Sequence, residues 1–371
     1  MIDTLPVGGS ELFLLDLINR LDLSLFNPVL ISMGSLKDPV YHRIHDDIPK
    51  FIHSRRWRYD LSPIRTIRNR IVEYQIDTIF CINLFTYFFV HFALRGVDKK
   101  IKTIISLHVT TPRSIKEAIL VFIYSRLLSK TDEVVTICEN QKRFWSKYYR
   151  IPVHQMTTIY NGIDTAYWSL PPVQFNRSAM REELKIPADA IVILNVSMIR
   201  KEKRHDLMVR ALLKVRNRVD TRPIVLVFVG GGTDQMLAFV NKTVKDYHLQ
   251  DRVILAGLQE DVRPYYWVSD IFTLPTTHGE TLSLATLQAL STGLPCVLSD
   301  IGGANEMIQN GQNGILVSPG SVDALVKGWE SCIHNLNSFQ PAPIRQRIID
   351  QFNINDCLRK YQERMLQSPL R

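Results

Sequence analysis

Short apolar runs and amphipathic segments alternate along most of the chain. Residues 190–196 and 225–229 are predominantly apolar and lead into polar or glycine turns, which is typical of buried strands. Residues 63–75 and 322–333 carry apolar residues at helical spacing, and the first of these segments begins with Pro63, a residue favoured in the first turn of a helix. Strands that alternate with helices predict an α/β fold with parallel sheets and helices on both faces.

The sharpest pattern lies between residues 270 and 300. An apolar strand at 270–274 leads through a polar turn into a helix predicted to begin at Thr281 and to end before Gly293. Parallel sheets bind ligands outside the carboxyl ends of their strands and against helix N-termini, and Glu280 lies at such a junction. An acidic residue there also has a purely structural explanation, because the helix dipole favours it.

Three further strand ends carry residues of interest. Gly8 and Gly9 precede the first helix, where glycine lets the backbone approach a ligand. His108 directly follows the strand at 102–107, and the turn at 197–206 holds four cations. A plain turn, a structural histidine and a solvated loop explain these features equally well when each is taken alone.

The stretch around Glu280 resembles the donor-site signature of family-4 retaining glycosyltransferases of the GT-B fold. In that signature a strand ending in proline leads to a glutamate, here Glu280, and a Gly-x-Pro turn closes the helix, here Gly293-Leu294-Pro295. A second glutamate normally stands eight positions after the first, and this chain has Gln288 there. The resemblance spans nearly the whole chain, with its specific part between Val196 and Gly303.

The resemblance implies two doubly wound Rossmann-like domains that face each other across a cleft. We expect an acceptor-binding domain at residues 1–168 and a nucleotide-sugar-binding domain at residues 173–351, joined by a linker at 169–172. A last helix within 352–371 is expected to cross back onto the first domain. Family members usually have a longer strand before the first glycine turn, so we also expect the natural chain to start upstream of Met1.

The resemblance also assigns roles to individual residues. Lys203 aligns with a lysine that neutralises the donor diphosphate, whereas Met198 stands at the usual arginine position, so Arg200 is the candidate replacement. Glu280 is expected to hold hydroxyls of the donor sugar, and His108 to contact that sugar from the first domain. The remaining predicted donor contacts are the glycine turn, the start of the helix and the residue facing the ribose: Gly8, Gly9, Thr281, Leu282, Ser283 and Gln288.

The implied reaction is the metal-independent transfer of a sugar, with retention, from a nucleoside-diphosphate sugar to a glycan, a lipid-linked acceptor or another hydroxyl acceptor. The chain has no Asp-x-Asp and no clustered His/Cys/Asp set, so neither a metal nor another cofactor is expected. A nucleotide-sugar epimerase or a phosphorylase is a weaker interpretation within the same fold class. Gln288 and Met198 favour a different alternative, a catalytically weak relative that serves as a sugar-binding or scaffolding subunit.

The composition of the chain predicts the number of domains and the cellular location of the protein. The chain has 371 residues, of which 46% are hydrophobic, and this predicts two globular domains. Five widely spaced cysteines lie among apolar residues and are expected to be reduced thiols of a cytoplasmic protein. Neither a signal peptide nor an apolar run long enough to span a bilayer, roughly 20 residues, is predicted.

Positive charge is concentrated in one part of the chain. Residues 51–150 hold 18 Lys/Arg against 8 Asp/Glu, interleaved with aromatic residues. A solvated face and an anionic membrane surface both explain this charge, whereas nucleic acid is not expected as a partner because no recognition motif accompanies it. A helix at 114–128 is predicted to have a broad apolar face, with Lys116, Arg126 and Lys130 on its polar side. We therefore expect a peripheral contact at the inner face of a membrane.

Overall fold

The computed structural model describes residues 1–3, 9–35, 37–38, 40–57, 60–112, 115–215 and 222–367. The chain divides into two compact units, of which unit 1 comprises Met1–Gly162 with Asn355–Arg371 and unit 2 comprises Ile163–Ile354. The division falls ahead of the expected linker, so residues 169–172 belong to unit 2.

Unit 1 is built on short parallel strands. These are β1 (Leu30–Ser32), β2 (Lys50–Ile52), β3 (Thr78–Ile82), β4 (Lys102–Leu107), β5 (Glu133–Thr136) and β6 (Met156–Thr158). The helices between them are α1 (Gly9–Asn19), α2 (Pro63–Glu73), α3 (Asn83–Ala93), α4 (Ile115–Ser125) and α5 (Glu139–Tyr149). β1 pairs with β2, and β3 to β6 form a second parallel sheet in chain order.

The first residues of the chain lie between these two sheets. Ile2 forms a parallel bridge with Ser32, and its N–H donates to the Ile31 carbonyl at 3.1 Å. On the other side the Ile82 N–H donates to the Met1 carbonyl at 3.0 Å. Met1 and Ile2 thus link β1 to β3 by backbone hydrogen bonds.

The described residues of unit 2 form one parallel sheet. Its strands are β7 (Ile191–Val196), β8 (Ile224–Val229), β9 (Val253–Gly257), β10 (Ile271–Leu274), β11 (Cys296–Ser299) and β12 (Gly314–Val317). Its helices are α6 (Arg177–Glu183), α7 (His205–Val215), α8 (Asp234–Asp246), α9 (Arg263–Val268), α10 (Leu284–Ser291), α11 (Ala304–Met307), α12 (Val322–His334) and α13 (Pro341–Gln351). The predicted α/β class with parallel sheets is confirmed.

The strand order of unit 2 places its ligand edge. The order is β12-β11-β10-β7-β8-β9, so the chain turns back at β7, which pairs with β8 on one side and β10 on the other. In open parallel sheets the crevice for a ligand lies outside the carboxyl ends of the strands at such a reversal. The turns that follow β7 and β10 therefore lie side by side.

The last helix, α14 (Ile354–Leu366), packs on unit 1. The Tyr361 side chain is fully buried, and its hydroxyl lies 3.0 Å from the Ser106 hydroxyl on β4. At the C-terminal end of the helix, the Lys102 ammonium donates to the carbonyl groups of Arg364 and Gln367. A cation is favoured there because the last carbonyls of a helix lack partners within the helix.

Helix α4 differs from its prediction in the placement of its charges. The segment predicted as a helix at 114–128 forms an α-helix at Ile115–Ser125 and continues as a 3-10 helix at Arg126–Lys130. Lys116, Arg126 and Lys130 share the exposed side with large apolar residues. The prediction of a separate polar side was wrong, because periodicity identifies apolar positions but does not show which of them the core covers.

Candidate active site

An ion pair joins the two turns at the reversal point of unit 2. Lys203 ends the short 3-10 helix Lys201–Lys203 that follows β7, and Glu280 lies in the turn that follows β10. The Lys203 ammonium donates to Glu280 Oε2, and the two side chains are 21% and 19% exposed. The structure thus brings together two predicted site residues that are 77 positions apart in the sequence.

Backbone contacts fix the position of Glu280. The Thr277 N–H donates to the Glu202 carbonyl at 3.0 Å, which links the two turns directly. The Gly303 N–H donates to the Thr281 carbonyl at 2.6 Å. Gly302 has φ +57°, and a Cβ there would lie 2.5 Å from the Glu280 carbonyl oxygen. A glycine is therefore required beside the ion pair, both for its backbone conformation and for space.

The glycine turn after β8 supports the turn that carries Lys203. Gly230 has φ +140°, and a Cβ there would clash with the Ser197 carbonyl. The Ile199 N–H donates to the Gly231 carbonyl at 2.7 Å. These glycines permit a close approach of one backbone to another at the ligand edge.

Buried polar side chains connect the strands under the ion pair. Asn195 Nδ2 donates to the Thr273 carbonyl at 2.8 Å, and the Ser197 hydroxyl donates to Asn195 Oδ1 at 2.7 Å. His205 Nε2 lies 3.4 Å from the Ser197 hydroxyl. Burial, together with the positive charge of Lys203, lowers the pKa of His205 to about 4, so this imidazole is neutral at physiological pH. Sequence reasoning assigned no role to these residues, although Asn195 interrupts an apolar strand and so gives a signal.

The cations of the turn have different environments. Arg204 donates to the Asp206 carboxylate through Nε, at 3.0 Å from Oδ1, and through Nη2, at 3.1 Å from Oδ2. Arg200 is exposed, and its carbonyl accepts the Lys203 N–H at 3.1 Å. Arg204 is thus held within the protein, whereas Arg200 lies at the surface next to Lys203. The role predicted for Arg200 stays a prediction.

The start of α10 corrects the predicted helix boundary. The helix begins at Leu284, not at Thr281, because Ser283 is its N-cap and accepts the Thr286 N–H at 3.2 Å. Thr281, Leu282 and Ser283 are buried residues of the preceding turn. The predicted helix start at Thr281 is therefore wrong, whereas the donor contacts predicted for Thr281, Leu282 and Ser283 stay predictions. These three residues directly follow Glu280 in the sequence and precede the helix.

Gln288 lies on α10, and its amide oxygen has a partner within the protein. The hydroxyl of Tyr266, a fully buried residue, donates to Gln288 Oε1 at 3.0 Å. Glu280 stands outside α10, so the eight positions that separate it from Gln288 are not a helical spacing. The ribose contact predicted for Gln288 stays a prediction.

His108 belongs to unit 1, where it follows β4. The backbone N–H of His108 donates to Asn83 Oδ1 at 2.9 Å, and the imidazole Nε2 lies 3.0 Å from the Ser106 hydroxyl. The ring centroid of Phe13 lies 5.0 Å from that of the imidazole. Burial lowers the pKa of His108 to about 3, so the side chain is a neutral hydrogen-bonding group at physiological pH. Asn83, with φ +64°, was missed in the sequence because asparagine at a strand end is common in turns.

The two predicted glycine contacts lie at the start of α1. Gly9 is the first residue of the helix and is exposed, whereas Gly8 lies outside the described residues. Within the described ranges, no group of three or more His, Cys, Asp or Glu side chains is placed to hold a metal ion. The helices found there also lack the combination of length and hydropathy that crossing a bilayer requires.

Two family models match the chain, the first mainly in unit 1 and the second in unit 2. "Glycosyltransferase Family 4" matches residues 7–167, and "Glycosyl transferases group 1" matches residues 190–335. The second match contains both Lys203 and Glu280, and the first contains His108.

Characterised relatives are similar over part of their length. An N-acetyl-alpha-D-glucosaminyl L-malate synthase of Bacillus anthracis is 27% identical over 57% of this chain and 53% of its own. A UDP-Gal:alpha-D-GlcNAc-diphosphoundecaprenol alpha-1,3-galactosyltransferase of Escherichia coli is 27% identical over 60% of this chain and 57% of its own. The chain thus spans about half the length of the curated relatives it matches.

Solved structures match nearly the whole chain at low identity. A glycosyltransferase from Rickettsia africae ESF-5 has a TM-score of 0.82 and 19% identity, with 98% of this chain and 97% of that chain covered. Anabaena Alr3699/HepE in complex with UDP has a TM-score of 0.84 and 17% identity, with the same coverage. At such identities the likeness establishes the fold, which is GT-B. Because the two family models together account for most of both units, the chain belongs to the family-4 glycosyltransferases.

Proposed function

We propose that this protein transfers a sugar from a nucleoside-diphosphate sugar to a hydroxyl acceptor, with retention of configuration and without a metal ion. The observation that carries the proposal is the Lys203–Glu280 ion pair at the reversal point of the unit 2 sheet. This is the edge at which parallel sheets bind nucleotides. Family membership and the UDP and UDP-glucose complexes of Alr3699/HepE support a nucleotide-sugar donor.

The ion pair offers a separate group for each half of the donor. Negative charge grows on the diphosphate as its bond to the sugar breaks, and the Lys203 ammonium stabilises that charge. When Lys203 turns to the diphosphate, the Glu280 carboxylate is released to accept hydrogen bonds from sugar hydroxyls. Arg200 is proposed to supply a second cation from its exposed position next to Lys203.

The proposed sugar transfer requires no nucleophile from the protein. The acceptor oxygen forms a bond to the anomeric carbon while the bond from that carbon to the diphosphate breaks. The proton of the acceptor hydroxyl passes to a departing diphosphate oxygen. His108, neutral because of its burial, is proposed as a hydrogen-bonding partner of the donor sugar.

The acceptor is proposed to be a glycan or a lipid-linked hydroxyl at the cytoplasmic face of a membrane. Two observations support this location. The relative in Escherichia coli is named for a diphosphoundecaprenol-linked acceptor, and residues 51–150 carry the concentrated positive charge described above.

Released nucleotide gives the direct test. The full chain is incubated with a panel of uridine, guanosine and adenosine diphosphate sugars and a set of glycan and lipid-linked hydroxyl acceptors, with and without a chelator. We expect nucleotide release from at least one donor at a rate that the chelator does not change, and an α-anomeric product from an α-linked donor by NMR. Inversion at the anomeric carbon, or activity that returns only with a divalent ion, would overturn the retaining or the metal-independent part.

The same experiment separates the enzyme from a binding subunit. A sugar-binding or scaffolding relative would bind a nucleotide or sugar in calorimetry and release no nucleotide from any donor. The hydrogen bond from Tyr266 to the Gln288 amide oxygen favours this alternative, because it engages the acceptor atom predicted to face the ribose. Turnover with any donor in the panel excludes it.

A further inference from the structure

Helix α4 presents an apolar face outside the core of unit 1. Of its eleven residues only Ser125 is buried. Ile115, Ile119, Phe122 and Ile123 are 82%, 55%, 49% and 54% exposed, and we call these four side chains the α4 face. Their spacing places them on one side of the helix, whereas Val121 and Tyr124 pack against the core on the other side.

Cations surround the α4 face. Lys116, Arg126 and Lys130 are exposed on the same side, and no acidic side chain is exposed between Ile115 and Lys130, a segment that is described throughout. The Arg126 guanidinium lies 4.6 Å from the centroid of the Phe122 ring, so its stem follows the apolar surface while its charge stays in water.

Helix α5 of unit 1 carries further exposed cations. Both Arg143 and Lys147 are exposed, and the Lys147 ammonium lies 5.4 Å from the ring centroid of Tyr148, itself exposed. Val121 and Tyr124 of α4 pack against the same unit 1 core as Phe144 and Tyr149 of α5.

We infer that the α4 face inserts into the interfacial region of an anionic lipid bilayer. Apolar side chains on one side of a helix enter the boundary between headgroups and acyl chains, and adjoining cations bind anionic headgroups. A second copy of this chain is a poorer partner, because two faces carrying only cations repel each other. The combination of aliphatic residues, an aromatic ring and flanking cations fits lipid.

The position of α4 connects this surface to the acceptor. β4 ends at Leu107, His108 follows, and α4 begins at Ile115, so the start of the helix lies beside the carboxyl edge of the unit 1 sheet. An acceptor anchored in the same bilayer would therefore be presented next to that edge. This step rests on the proposed function and names its acceptor class as lipid-linked.

Flotation with vesicles tests the insertion. The full chain is mixed with vesicles of phosphatidylcholine alone or with phosphatidylglycerol added, at low and at high salt. We expect at least tenfold more protein to float with the anionic vesicles at low salt, and the double variant Ile119→Ser, Phe122→Ser to lose most of that recovery. Phe239→Ser is the matched control, because Phe239 is 46% exposed on α8 of unit 2.

Three outcomes overturn the inference. They are equal recovery with both vesicle types, wild-type recovery of the double variant with its melting temperature unchanged, and a wild-type dimer that the double variant dissociates while neither floats. Nucleotide release from sugar nucleotides is measured in parallel, with lipid-linked and soluble hydroxyl acceptors supplied. Flotation without nucleotide release would remove the proposed function and keep the membrane surface, and nucleotide release without flotation would do the reverse.

Discussion

The polar side chains at the strand ends of unit 1 and unit 2 differ in their charge and in their surroundings. In unit 2 the Lys203 ammonium and the Glu280 carboxylate form an ion pair, and about a fifth of each side chain is exposed. In unit 1 His108 lies among aromatic and hydroxyl groups, and its burial removes the positive charge at physiological pH. A charge survives where a partner and some solvent compensate the loss of hydration. The proposed function therefore assigns stabilisation of the diphosphate to unit 2 and neutral hydrogen bonding to unit 1.

The largest expected effect comes from removing the cation of unit 2. Lys203→Ala should lower turnover by two or more orders of magnitude, about the loss seen when one preorganised transition-state donor is removed. Lys242→Ala is the matched control, because Lys242 forms an ion pair with Asp246 on the exposed surface of the same unit. The measurement is kcat for nucleotide release, with thermal melting to show that the fold is retained.

Arg200→Ala tests whether Arg200 supplies a second cation to the diphosphate. It should lower turnover similarly if Arg200 replaces the arginine absent from position 198. Wild-type turnover with an unchanged melting temperature would leave Lys203 as the principal cation and remove Arg200 from the site.

Gly302→Ala tests whether the backbone geometry beside Glu280 matters as much as the charge. The left-handed conformation and the contact with the Glu280 carbonyl together should cost roughly 1–3 kcal/mol of stability and displace the carboxylate. Gly311→Ala is the control, since Gly311 has φ +78° with nothing within 4 Å of an added Cβ. We expect Gly302→Ala to lower turnover well below that of Gly311→Ala. Equal activities would mean that the backbone contact between Gly302 and Glu280 does not affect turnover.

The neutral histidines of the two units predict a loss of stability in acid. Their pKa values are about 3 for His108 and about 4 for His205 in the folded chain, against 6.5 unfolded. Below pH 6.5 the unfolded chain binds protons that the folded chain excludes, so stability falls by about 1.4 kcal/mol per histidine for each pH unit. Denaturant unfolding at pH 7 and pH 5.5 should show a smaller loss for His205→Gln than for the wild type. An identical loss would mean that His205 has the same pKa in the folded and unfolded chains, which would contradict the shift caused by its burial.

Elements with a strong local pattern could be predicted from the sequence. The strand predicted at residues 102–107 coincides with β4, and the strand predicted at 270–274 differs from β10 by one residue, because buried parallel strands are nearly continuous apolar runs. The start of α10 was misplaced because the helical spacing of residues extends back to Thr281, whereas the N-cap hydrogen bond of Ser283 sets the first helical residue at Leu284.

Contacts between distant segments could not be predicted in the same way. The Lys203–Glu280 pair depends on β7 and β10 being neighbours in the sheet, a property of strand order that local periodicity does not contain. The resemblance selected both residues without indicating that they bind each other. The exposure of the α4 face likewise depends on which neighbours cover the helix.

The smallest expected effect concerns Gln288, where a charge would be added to unit 2. The amide oxygen of Gln288 already accepts the Tyr266 hydroxyl, and a carboxylate at the same position can accept that hydroxyl and a ribose hydroxyl as well. Hydrogen bonds to charged groups contribute about 1 kcal/mol more than neutral ones, so Gln288→Glu should tighten donor binding about fivefold and leave kcat nearly unchanged. Calorimetry with the donor nucleotide measures the difference, and Gln288→Ala should weaken binding. If both variants bind the nucleotide as the wild type does, Gln288 only anchors Tyr266, and the ribose is bound elsewhere.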